Sequence, residues 1–148
     1  MKKLGIFTLI CVVGLFFAGN VFAGDKEECV KVCEAAVKMM QADMTGALCE
    51  INKKDGQFVK GSVYVFAQRG GVMIAHPFKP VLIGRDLSSL KDSTGKQFFK
   101  EFVKVAKDPG SGWVDYMWPK PNEKDPSAKT SYILKVDDNY FVGAGYYK

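Results

Sequence analysis

Few side chains in this sequence combine charge or hydrogen-bonding power with a confined place in a pattern. His76 is the only histidine, and it stands just before Pro77 at the end of an apolar run. A neutral imidazole offers one donor and one acceptor, through either nitrogen. Its ordinary alternative is a satisfied structural residue. Arg85 presents a planar fork that matches a carboxylate with two parallel N–H bonds; the plain alternative is pairing with Asp86 or water. Trp113, Tyr116 and Trp118 share one alternating stretch. Period two sets Trp113 with Asp115 on one side and Tyr116 with Trp118 on the other. One side must be core. The other can wall a pocket, with the Tyr116 hydroxyl and the Trp118 N–H as polar handles. Alternation alone does not decide between them.

The remaining reactive groups are cysteines. Cys29 and Cys33 stand one helical turn apart, and Cys49 follows later. Their spacing is neither that of a thioredoxin-like pair nor that of a haem attachment motif. One histidine among them is too few for a zinc site. No serine elbow, Gly-rich phosphate loop or paired histidines occur, so the sequence reads as a binding protein rather than an enzyme, with no cofactor.

Regular elements must hold these residues. Residues 25–43 show apolar Val30, Cys33, Val37 and Met40 at helical spacing, with Asp25 as a candidate N-cap and Glu28 as its capping-box partner. A short helix through Ala47, Leu48 and Ile51 follows. From Phe58 the period becomes two. Val63–Ala67, a turn at Arg69-Gly70-Gly71, and Val72–His76 predict a hairpin. Pro77 stops the ladder, because proline has no N–H. Residues 77–95 read as loop and 96–107 as an amphipathic helix. Strands are expected at 113–118, 132–136 and 140–144, with a polar loop over 119–129. The order and short turns predict an α+β fold: an antiparallel sheet of about five strands, one long N-terminal helix and one crossing helix.

The N-terminus reads as an export leader. Lys2 and Lys3 precede an apolar run from Leu4 to Phe17, and Val21 and Ala23 suit cleavage after Ala23. The expected domains are therefore a signal peptide at 1–23 and one soluble domain at 24–148, in the periplasm. The formal charge is +5; losing two leader lysines and no acid leaves it mildly basic. Its lysines are scattered, which is not a nucleic-acid footprint. Three cysteines in an oxidising compartment leave one free or join two chains.

Several blocks together resemble a single Cache domain. They are Tyr64–Ala67, Gly71–Pro77, Leu82–Leu87, Leu90–Lys96, Gly112–Pro119, Ser131-Tyr132 and Val142–Tyr146. Cache domains are extracytoplasmic sensor modules of bacterial chemoreceptors and sensor kinases. The resemblance implies a PAS-like sheet against a long N-terminal helix, with a pocket for a small carboxylate or similar polar metabolite. It implies pocket roles for His76 and Arg85, and for Phe66 and Tyr132, otherwise core aromatics, beside Trp113, Tyr116 and Trp118. A membrane receptor or sensor kinase is the implied partner, and a homodimer through the N-terminal helix the implied assembly. The chain carries no second membrane helix and resembles a free-standing periplasmic form. The competing expectation is an interaction protein that docks on a receptor through that helix without its own ligand.

Overall fold

The computed structural model describes residues 21–148; most of the expected leader lies outside them. The helix α1 (Val21–Ala42) is followed by α2 (Met44–Ile51), β1 (Val59–Lys60), β2 (Val63–Arg69), β3 (Val72–Ala75), α3 (Phe98–Lys107), β4 (Ser111–Pro119), β5 (Pro126–Lys135) and β6 (Tyr140–Tyr147). The helices pack on an antiparallel sheet of six strands in the order β1-β2-β6-β5-β4, with β3 sharing an edge of β2 with β1. This is the α+β architecture expected. No helix among the described residues is long and apolar enough to cross a membrane.

Three details differ from the sequence expectation. First, α1 runs back through Asp25, so Asp25 does not cap it. The break between the helices falls at Asp43, whose carboxylate accepts the Gly46 N–H at 3.0 Å and caps α2. Second, β5 begins at Pro126, inside the expected loop. The polar run Lys129-Thr130-Ser131 hid it, because those residues look solvated in sequence yet are buried in the sheet. Third, all three described cysteines are free: Cys29 and Cys33 are buried on the inner side of α1 and Cys49, on α2, is exposed.

Alternation along the strands splits the interior into two cores. On one face, α1 and α2 cover Val63, Val65 and Ala67 of β2 and Val142, Ala144 and Tyr146 of β6. On the other, α3 covers Phe66 of β2, Val114 and Tyr116 of β4, Ile133 of β5 and Phe141 of β6. Phe98, Phe99, Phe102 and Ala106 form the buried stripe of α3, at the spacing of one helix face.

Candidate functional site

The α3 face is not filled evenly. Between α3 and the sheet lies a cleft lined by Tyr64, Phe66, Met73, His76, Phe98, Phe99, Phe102, Tyr116 and Trp118. It is narrow, with room for about one water molecule. Its walls are stacked aromatics: Phe98 on Tyr116 with centroids 4.3 Å apart, and Phe66 on Phe102 at 5.5 Å. The Tyr116 hydroxyl is 2.9 Å from the Ser131 Oγ.

His76 belongs to this wall, and Lys129, itself outside the lining, rests on the ring of Tyr64, which is part of it. His76 is 3% exposed and lies where β3 leaves the ladder before Pro77. Its backbone N–H donates to the Asn52 Oδ1 at 2.9 Å, which ties the strand end to the end of α2. The backbone N–H groups of Phe78 and Lys79 donate to its Nδ1, at 3.2 and 3.1 Å. An acceptor Nδ1 leaves the proton of the neutral ring on Nε2. Burial, then the positive charges of Lys129 and Lys79, lower the His76 pKa to about 3. The ring is neutral near pH 7.

Lys129 of β5 is 1% exposed, and its Nζ has no hydrogen-bond partner. The ammonium rests 3.8 Å from the centroid of the Tyr64 ring and 4.8 Å from that of Tyr147, which are cation–π distances. Burial lowers its pKa, and the neighbouring Tyr64 opposes that shift. The neighbouring strand β6 makes room for this side chain. A Cβ at Gly145 would fall 2.9 Å from the Lys129 Cε and 2.1 Å from the Ser131 Oγ. At Gly143 it would fall 2.3 Å from the Phe66 ring. Both glycines face the cleft side, so the strand between Phe66 and Lys129 is bare there.

The structure brings four of the seven expected site residues together: Phe66, His76, Tyr116 and Trp118. The other three lie elsewhere. Arg85 is exposed in the loop after β3 and is absent from the cleft wall; its carbonyl accepts the Met73 N–H and its own N–H donates to the Leu82 carbonyl, both at 3.1 Å. Trp113 and Tyr132 are cross-strand partners on the opposite face, with rings 5.3 Å apart, and Trp113 is 38% exposed beside Lys26. Strand parity is the reason: Tyr116 and Trp118 point to α3, so Trp113 must point away. Sequence reasoning missed Tyr64, Met73 and the three phenylalanines of α3 as cleft residues, and Lys129 buried against Tyr64. For Lys129 one signal existed. Extending β5 upstream places it on the face of Ser131 and Ile133.

A small chamber between helix and sheet, apolar except for a few converging polar groups, defines a ligand-binding sensor module of the PAS-like class. The family assignment agrees with that geometry: residues 50–148 match the Cache domain profile. This chain belongs to the Cache domain family. A stretch of 79 residues is 43% identical to the methyl-accepting chemotaxis protein McpP of Pseudomonas putida, covering 53% of this chain but 14% of that protein. A solved Cache chemosensory domain described as recognising carboxylic acid superposes with a TM-score of 0.73 at 30% identity, covering 85% of this chain and 95% of that one. The periplasmic sensor domain of a chemotaxis protein gives 0.66 at 30% identity, over 85% and 91%. A methyl-accepting chemotaxis protein of Vibrio parahaemolyticus, at 23% identity and 0.71, shares the fold. Cache domains are sensory ligand-binding modules, and two of these neighbours are described as a chemosensory domain and a periplasmic sensor domain.

Proposed function

We propose that this chain is a periplasmic sensor domain whose cleft takes a small carboxylate, with Lys129 as the counter-charge. Residues 1–23 serve as its export leader. The observation that carries the reading is the buried Lys129 ammonium without an acceptor. An unpaired charge inside a protein is costly, and a carboxylate oxygen supplies what it lacks. The neutral His76 adds a donor, and the Tyr116 and Ser131 hydroxyls a third polar point. The phenylalanine-rich remainder of the wall suits a short aliphatic tail. The cleft as it stands has room for about one water molecule, so a guest of a few heavy atoms enters only as the aromatic wall moves apart. A single buried cation favours one carboxylate over two. The related Cache domain described as recognising carboxylic acid supports the same class.

Signalling then requires a partner: a membrane receptor or sensor kinase that reads the occupied domain, with a second copy docking along α1. No catalytic step is assigned. Thermal shift and calorimetry with acetate, propionate and pyruvate test the reading, with acetamide as the neutral control. The acids raise Tm and acetamide does not, because a guest that binds only the folded state stabilises it. Lys129→Met abolishes the shift, weakening binding about a hundredfold or ~2.7 kcal/mol, while the variant stays folded. A Lys129→Met protein that binds the acids as well as wild type would refute the role of the cation.

A further inference from the structure

The two nitrogens of His76 face different tasks. Nδ1 accepts both amides of the turn that follows β3, from Phe78 and Lys79. That turn reaches between two walls of the cleft. The Phe78 ring meets Tyr64 edge-on at 5.1 Å, and the Lys79 Nζ lies 5.6 Å from the centroid of Trp118. Tyr64 and Trp118 both line the cleft. Residues 77–79, themselves outside the lining, therefore strap two of its walls together, and the imidazole is the group that holds the strap.

We infer that His76 is a two-sided latch: Nδ1 fastens the 77–79 strap over the cleft, and the Nε2–H it thereby fixes is the donor that reads the guest. The second half rests on the carboxylate reading above; the first does not. The consequence is selectivity. With Nδ1 occupied, the ring offers the cleft a donor and no acceptor, so it favours a guest that presents oxygen lone pairs and penalises one that presents N–H or O–H at that point. Binding and strap closure are also linked. A guest oxygen on Nε2–H polarises the ring and strengthens Nδ1 as an acceptor, which tightens the turn.

The chain has one histidine, so a long-range proton–nitrogen spectrum of untagged protein reads its tautomer without overlap. Wild type is expected to show a neutral ring protonated on Nε2, with slow exchange of the Phe78 and Lys79 amides. Two substitutions separate the tasks. The amide oxygen of Asn matches the position of Nδ1, and the amide nitrogen of Gln that of Nε2–H. His76→Asn should keep the strap amides slow while weakening acetate binding at least tenfold. His76→Gln should speed their exchange at least tenfold and retain more of the acetate affinity than His76→Asn. A wild-type ring protonated on Nδ1 overturns the inference, whether or not the variants fold. So does identical behaviour of the two variants in both assays. If wild type binds no acetate while the tautomer and exchange results hold, the carboxylate reading falls and the strap half of the latch stands.

Discussion

The two faces of the sheet come from the same strands, yet they are built for different ends. Under α1 and α2 the core is mostly aliphatic, with small residues, two thiols and the aromatic rings of Phe58 and Tyr146. Burial pushes the Cys29 thiol up to about 12 and that of Cys33 well above its usual value, so neither is a nucleophile near pH 7. Under α3 the core is aromatic, and it encloses a cleft and a neutral imidazole, with the buried Lys129 Nζ beside Tyr64 lacking a hydrogen-bond partner. The first face is organised for stability. The second buries polar groups at a cost in stability, which the proposed carboxylate binding would explain. Alternating residues on β2, β5 and β6 let one sheet do both.

The largest effect expected from breaking this division is on the helical face. Ile51 is fully buried there, and Ile51→Ala should cost about 3 kcal/mol of stability by leaving a cavity. Acetate affinity per folded molecule should be unchanged, as calorimetry can check. A matching loss of affinity would mean the two faces are not independent.

A smaller effect is the pH dependence conferred by the cleft side. The His76 pKa is lowered to about 3 in the folded protein, by burial first and by Lys129 and Lys79 next, against an ordinary value of about 6.5 when unfolded. Between these values the unfolded chain binds a proton and the folded one does not. Stability contributed by the neutral ring is therefore full above about 6.5 and lost as pH falls toward 3. Urea midpoints from pH 7 down to pH 4 should fall more steeply in wild type than in His76→Asn. Equal slopes would place His76 in a more open setting than the structure shows.

The smallest effect is outside both cores. Arg85→Ala should change stability by less than about 0.5 kcal/mol, as is usual for an exposed side chain, and should leave acetate binding within about threefold of wild type. A large loss of binding would restore Arg85 to the site and require the turn after β3 to move inward.

Much of this architecture was legible in the residues. The hairpin of β2 and β3 follows from alternation around Gly70-Gly71, α3 from its phenylalanine stripe, and the end of β3 from Pro77. The family blocks placed His76, Phe66, Tyr116 and Trp118, and these converge. Three of the expected residues do not join them: Trp113 and Tyr132 lie on the other side of their strands, and Arg85 lies on an exposed loop. Residue type and spacing do not say which face of a strand a helix will cover. Lys129 was hidden for the opposite reason: its neighbours Thr130 and Ser131 are polar, so a buried strand looked like a loop.

The sequence by itself determined the order of helices and strands and the periodicity within each, because these follow from local sterics and the segregation of apolar side chains. It also determined the family. Only the tertiary structure decided which face α3 occupies, and with it which aromatics wall the cleft. It alone decided that Lys129 lies buried against Tyr64 and that Phe78 and Lys79 fasten on one nitrogen of His76. Those choices depend on contacts between residues far apart in the chain, where burial and pairing, not residue identity, set what a charge or an imidazole can do.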